Sequence, residues 1–236
     1  MMGEPPAADE RGLLDEQIAY YRARAPEYED WWNDHRADHP PTWPDEVREL
    51  EAIVGRFRPA GSVLELACGT GLWTRHLVRW ADRLTAVDTA PETIALNRSR
   101  LPEGAAVEFV EADIFEWEPP ERYDVVFFSF WLSHVPPEHF DGFWHLVDRS
   151  LKPDGRFFLI DNRETYVTAA AAEPAEGFRS RRTLRDGRQF TIVKEFYEPG
   201  NLTERLGRLS WEVTAGATGP SFIWAEGTRA GNISEH

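Results

Sequence analysis

The run Val63-Leu64-Glu65-Leu66-Ala67-Cys68-Gly69-Thr70-Gly71 closes an apolar stretch with an acid and then two glycines one residue apart. The small residues Ala67, Gly69 and Gly71 allow a ligand to lie against the backbone. Asp88 stands 19 residues after Gly69, at the end of a second apolar run over residues 84–87. A carboxylate at the tip of the strand beside such a turn can accept both hydroxyls of a ribose. Further on, Ser129-Phe130-Trp131-Leu132-Ser133-His134-Val135-Pro136 follows the most apolar run of the chain and contains a candidate proton acceptor, His134. The alternative for His134 is a side chain that ties its loop to backbone groups.

These residues need elements to position them. An apolar strand, a tight turn and a helix starting near Leu72 are expected around the glycines, with Trp73, Leu77 and Trp80 on one helical face. The free N–H groups of that helix would point at the ligand. The dinucleotide fingerprint G-x-G-x-x-G reads here as A-x-G-x-x-L, because Leu72 occupies the third glycine's place. A structural turn holding nothing is the plain alternative.

The rest of the chain alternates. Residues 1–12 are small, acidic and proline-containing, and are expected to be disordered. Leu14, Ile18 and Tyr21 begin a helix, and an aromatic segment with Tyr20, Tyr28, Trp31 and Trp32 continues it. Residues 13–58, including a second helix over 44–57, form a helical cap. Tyr20, Tyr21, Arg24 and Tyr28 combine polar tips with apolar bodies, which favours a lid over packing on the outer face. Residues 59–236 form the core, with strands at 84–88, 107–111, 123–130 and 156–161 and helices at 91–100 and 140–151. Residues 123–130 are almost continuously apolar, as suits a central parallel strand. Lys152-Pro153-Asp154-Gly155 marks a turn, residues 169–172 an alanine patch, and Asp186-Gly187 a hairpin within an insertion near 180–197. A short helix at 202–209 and an antiparallel pair at 211–215 and 221–226 complete a doubly wound α/β sheet.

Composition narrows the function. The net charge of −15 weighs against nucleic acid as the partner. Cys68 is the single cysteine, so an internal disulfide is excluded and a reducing, cytoplasmic setting is expected. Glu4, Asp9 and Glu10 do not suit a secretory signal, and no apolar run is long enough for a membrane span. His134, His139 and His145 have no metal-site spacing, and no metal is expected.

The ordered set Glu65-x-Ala67-x-Gly69-x-Gly71, Asp88, Ala112-Asp113-Ile114, the strand at 123–130 and Leu151-Lys152-Pro153-Asp154-Gly155 resembles the class I S-adenosylmethionine-dependent methyltransferases. The resemblance covers roughly residues 20–229. It implies a Rossmann-like sheet of seven strands whose last strand is antiparallel. It also implies S-adenosylmethionine as cofactor and S-adenosylhomocysteine as product. Residue by residue, it assigns Glu65, Ala67, Gly69 and Gly71 to the methionine part and Asp88 with Thr89 to the ribose. Asp113 and Ile114 fall to the adenine, and Ser129 and Phe130 to the surroundings of the sulfonium. The family often has glycine where Ala67 stands. Tyr20 and Tyr28 would reach the cofactor from the lid.

Methyl transfer from a sulfonium is mainly a matter of alignment, with a base needed only when the acceptor carries a proton. His134 is the candidate base. Trp31, Trp32, Trp131, Arg163, Tyr166 and Phe178 are candidate substrate contacts, with Arg181 and Arg182 as further groups that could meet an acidic substrate. Phe143 and Trp144 read as core. The run 129–136 resembles the small-molecule subset of the family, so the expected partner is a small metabolite methylated on oxygen or nitrogen, with no nucleic acid and no membrane. The alternative is a catalytically silent cofactor-binding protein. The oligomeric state is open, a homodimer among the options.

Overall fold

The structure, a computed structural model, describes residues 7–27, 39–164 and 177–231. Seven strands form one sheet in the order β3-β2-β1-β4-β5-β9-β8. These are β1 (Gly61–Leu66), β2 (Ala81–Asp88), β3 (Val107–Glu111), β4 (Tyr123–Ser129), β5 (Leu151–Asn162), β8 (Trp211–Thr218) and β9 (Phe222–Arg229). The first five are parallel, and β9, last in the chain, runs antiparallel between β5 and β8. The expected seven-stranded sheet is therefore present. The chain winds outward from β1 in both directions, so β1 and β4 flank the point where the strand order reverses.

β4 explains why the sheet is buried on both faces. Phe127 and Phe128 are each 0% exposed and point to opposite sides. Phe127 joins Val63, Phe158, Trp73 and the inner face of α2 (Trp43–Phe57), on which Leu50, Val54 and Phe57 recur at helical spacing. Phe128 meets Phe143 and Trp144 of α5 (Phe140–Ser150) and shares its cluster with Leu202 and Leu206 of α6 (Pro199–Arg208). Phe143 and Trp144 are core. The Asp-Gly hairpin forms as expected, with β6 (Arg179–Thr183) paired to β7 (Gln189–Val193) and Gly187 at φ +87°.

Three expectations need correction. Helix α1 runs Ala7–Arg24, so half of the segment expected to be disordered is helical. Arg11 of this helix bonds Glu116 at 3.1 Å. The helix after the glycine turn is a single turn, α3 (Thr74–Leu77), and Trp80 is 37% exposed instead of continuing the buried face. The crossover must already return to Ala81, which pairs with Gly61, and has no length for more. One helical turn carries little macrodipole, so the ligand-directed N–H groups expected there are not supplied by a helix. Finally, residues 152–155 do not separate α5 from β5. They form an irregularity inside β5, between the pairs Tyr123↔Leu151 and Val125↔Arg156. Helix α4 (Pro91–Arg100) matches its expected bounds. Tyr28, Trp31, Trp32, Tyr166 and the alanine patch lie outside the described residues.

Candidate active site

At the reversal point, Leu66 pairs with Phe128, and the carboxyl ends of β1 and β4 open into a cleft. Water-sized molecules can occupy about 100 Å³ of it. Ala67, Gly69 and Thr70 form one wall, with Asp88, Thr89 and Thr93 beside them. Asp113, Ile114 and Phe115 form the far side, and Ser129, Phe130, Trp131 and His134 line the end above β4. The inner face of α1, with Leu14, Gln17, Ile18 and Tyr21, roofs the cleft together with Ala25.

The glycine turn gains its shape from three left-handed residues, Ala67 (φ +52°), Gly69 (φ +51°) and Gly71 (φ +93°). A Cβ on Gly69 would find only the Ala67 carbonyl, at 4.0 Å, so the space beside it is empty. A Cβ on Gly71 would overlap the Asn97 amide. Gly71 thus serves the packing of α4 and does not line the cleft. Asp88 is fixed by backbone: it accepts hydrogen bonds from Gly69 N at 2.8 Å, Ala90 N at 2.9 Å and Thr93 Oγ1 at 3.0 Å. Burial nevertheless pushes its carboxyl above the usual range. Asp113 accepts Phe115 N through Oδ1 at 3.0 Å. Thr70 Oγ1 and Trp131 Nε1 are buried without a hydrogen-bond partner, and both residues line the cleft.

Glu65 lies behind this wall. It is 1% exposed, accepts Thr74 Oγ1 at 2.7 Å, and is pushed up to about 8, first by burial and also by the Asp88 charge. It is a protonated side chain at neutral pH in the free protein. Cys68 is buried and its thiol is pushed far up by burial, so it is not a nucleophile.

The other end of the cleft is assembled from distant segments. His134 is 5% exposed, and its Nδ1 lies 2.7 Å from the Val193 carbonyl. A carbonyl only accepts, so Nδ1 carries the proton. Nε2 then accepts the Tyr21 hydroxyl at 2.7 Å. Burial, and next the Lys194 charge, hold the imidazole well below its ordinary value, so it is neutral. Both ring nitrogens are engaged. Gln17 clamps the same junction, donating to His134 O at 3.1 Å and accepting Val193 N at 3.0 Å.

Beneath His134 sits a buried ionic cluster. Asp161 accepts Ser133 N at 2.8 Å, Ser133 Oγ at 2.7 Å and Asn162 N at 2.7 Å. Lys194 Nζ donates to Ser133 Oγ at 2.7 Å and lies 3.9 Å from Asp161. Burial lowers its ammonium to about 8. Phe130, the residue that follows β4, has φ +54°, a conformation that costs ~1–3 kcal/mol and is held by its N–H bond to Ile160 O at 2.8 Å.

The structure brings Ala67, Gly69, Asp88, Thr89, Asp113, Ile114, Ser129, Phe130, Trp131 and His134 to one cleft. It does not bring Arg163 there: that guanidinium grips Glu198 through two bonds, at 3.1 and 2.8 Å, and the Gly219 carbonyl at 2.9 Å. Tyr20 packs against Phe190 and Tyr21 outside the cleft, one helical position from the residue that enters it. Phe178 is not among the cleft residues, and its carbonyl accepts Lys194 N at 2.7 Å. Gln17, Ser133, Asp161 and Lys194 were not candidates from sequence. Lys194 carried one signal, as one of two lysines in a chain whose other cations are arginines.

Among the described residues no group of three His, Cys, Asp or Glu could hold a metal ion, and no helix is long and apolar enough to cross a membrane.

A family model described as a methyltransferase domain matches residues 63–155. The chain is 42% identical over 87 residues to trans-aconitate 2-methyltransferase of Escherichia coli O1:K1 / APEC, a match over 36% of this chain and 33% of that protein. The chain therefore spans about a third of the length of the curated relative it matches. Among solved structures it resembles the DhpI–SAH complex, with a TM-score of 0.76 and 39% identity over 94% of this chain and 98% of that one. The DhpI–SAM–HEP complex matches with a TM-score of 0.77 and 39% identity, over 92% and 97%.

Proposed function

The chain belongs to the class I S-adenosylmethionine-dependent methyltransferases, and we propose that it transfers a methyl group from that cofactor to an oxygen or nitrogen of a small molecule, a specialised metabolite. One observation carries the reading: a cleft at the β1/β4 reversal whose carboxylates are already oriented by backbone N–H groups. Asp88 is poised to take the ribose hydroxyls, with Thr89 beside it. Asp113 keeps Oδ2 for the adenine amino group, and Ile114 offers an apolar face. Ala67 and Gly69 leave room for the methionine part, and Ser129 and Phe130 border the sulfonium, which supplies an activated methyl.

The chain's own task is alignment and exclusion of water. Orientation of this kind contributes roughly 7–11 kcal/mol to a displacement. In this reading α1 acts as a lid and supplies the roof, α2 packs on the sheet instead of over the cleft, and residues 59–236 are the catalytic core with the 180–197 hairpin as an insertion. A silent cofactor binder would have its cleft filled beyond Phe130. The open space reaching Trp131 and His134 supports the enzyme instead.

Calorimetry with S-adenosylmethionine and S-adenosylhomocysteine, followed by a small-molecule screen with methyl-labelled cofactor, tests the reading. Binding of both ligands and label transfer are expected. A folded protein that binds neither would sink it.

A further inference from the structure

We infer that α1 and the β6–β7 hairpin form one cap, which lifts from the sheet as a single piece to admit the cofactor, turning about Ser133 and His134, and closes once the cofactor is bound. This rests on the methyltransferase reading above and names the moving part of that site.

Space gives the first argument. Water-sized molecules can occupy about 100 Å³ of the cleft beneath α1, below the ~300–1,000 Å³ usual for a small-molecule site. Asp88 and Asp113 on the floor and Leu14, Ile18 and Tyr21 in the roof line the same space. A molecule as large as S-adenosylmethionine therefore enters when the roof rises. A ligand that touches floor and roof together binds the closed form better, and that difference draws the cap shut.

The packing of α1 gives the second. Thr191 and Val193 of β7 turn their N–H groups away from β6, and α1 takes both, through Glu16 Oε1 at 2.6 Å and Gln17 Oε1 at 3.0 Å. Two adjacent side chains of a helix thus stand where a third strand would pair. Tyr20 of α1 packs with Leu184 and Ile192 in a small core flanked by Phe190, and none of these belongs to the two clusters that pack on the sheet. Helix and hairpin are one body.

The fastenings to the rest of the molecule give the third, because they differ in kind. The buried ones gather at one point. His134 meets the Val193 carbonyl through Nδ1 and the Tyr21 hydroxyl through Nε2, and Gln17 donates to its carbonyl. Next to it, Ser133 O accepts Glu195 N at 2.8 Å and Ser133 Oγ accepts Lys194 Nζ. The rim contacts lie in solvent. Arg11 reaches Glu116, with side chains 75% and 63% exposed, and Arg22 reaches Thr89 O at 3.0 Å and stands 3.9 Å from Glu92. Exposed pairs hold weakly, so the rim gives way first and the buried point serves as the pivot. Thr89 follows Asp88, and Glu116 stands two residues after Ile114, so the side that opens is the adenosine side.

The experiment uses the full chain with pairs of introduced cysteines for spin labels, Cys68 being buried and left in place. Calorimetry with S-adenosylhomocysteine comes first: a folded protein that binds none overturns the parent reading and this one together. Electron–electron distance measurements then join Ala19→Cys on α1, Gln189→Cys on the hairpin and Ala95→Cys on α4, all at exposed positions. In the ligand-free chain the distances from Ala95 to Ala19 and to Gln189 should both be broad, and saturating S-adenosylhomocysteine should narrow the two together. The Ala19–Gln189 distance should be single and narrow throughout. Arg22→Ala removes a rim fastening and should raise the open fraction, and the rate of S-adenosylhomocysteine release, about two- to fivefold. Narrowing of the Ala19–Ala95 distance alone would show α1 moving without the hairpin. That result, three distances unchanged by bound ligand, or release unchanged in Arg22→Ala, overturns the inference and leaves the methyltransferase reading standing.

Discussion

The two ends of the cleft are built in opposite ways. At the cofactor end, Asp88 is held by residues within 19 positions of it, mostly through backbone N–H groups, in a turn fixed by left-handed residues. At the acceptor end, Tyr21 reaches His134 across 113 residues, Gln17 reaches Val193 across 176, and Lys194 reaches Ser133 across 61, two of the three pairs joining side chain to side chain. The first end is a local motif. The second is a meeting of α1, the loop after β4 and the hairpin. A motif can be kept while the meeting changes, which is how one fold takes many acceptors.

The contrast can be probed at four depths. Glu65, although part of the motif, is held protonated, and Glu65→Gln should leave the fold at neutral pH intact. Because its folded value is raised to about 8 from 4.5, the unfolded chain ionises first, and the wild type loses stability as pH rises between those values, on the order of 4 kcal/mol. The Gln variant should lose that slope in ligand-free thermal melts across pH 5–8, a range set by the same two limits. An unchanged slope would show that Glu65 ionises in the fold.

Asp88→Ala comes next, with S-adenosylmethionine affinity falling about 100-fold, near 3 kcal/mol, by calorimetry on folded protein. Affinity within about threefold of wild type would mean the carboxylate only braces the turn. At the other end, Tyr21→Phe strips the buried His134 Nε2 of its donor and should cost about 1–2 kcal/mol in denaturant melts, with faster amide exchange in α1. Cofactor-site residues should keep their protection, and if they do not, the two ends are one unit. The smallest effect belongs to Ala67→Gly. Relief of the left-handed alanine, worth ~1–2 kcal/mol, is partly offset by the entropy of glycine, leaving a gain of less than about 1 kcal/mol in thermal melts. A loss of stability would show that φ there is not strained.

The same contrast explains what could be read from the sequence. The almost continuous apolar run over residues 123–130, the bounds of α4 and the spacing from Gly69 to Asp88 are local signals, and the structure follows them. The helix after the turn is shorter than its apolar pattern predicts, because a pattern of three apolar residues ignores the distance the chain must cover to reach Ala81. Arg163 was a candidate for substrate because nothing near it in sequence announces Glu198. Tyr20 and Tyr21 are neighbours on α1, and the one-residue step from one to the other decides outer packing or roof. Lys194 has no motif at all: its meaning comes from Ser133 and Asp161, two other segments brought under it.

Gln17 and its partner Val193 are separated by 176 residues, with the helix first and the hairpin late. On a ribosome that gap is time: at ~5–20 residues per second, α1 waits roughly 9–35 s for the strand that will hold it. The glycine turn, Asp88 and Asp113 all leave the tunnel in that interval. The nascent chain therefore carries a roofless cleft before the roof can be fastened, and the face of α1 that will become the roof has nowhere to dock until the hairpin is made.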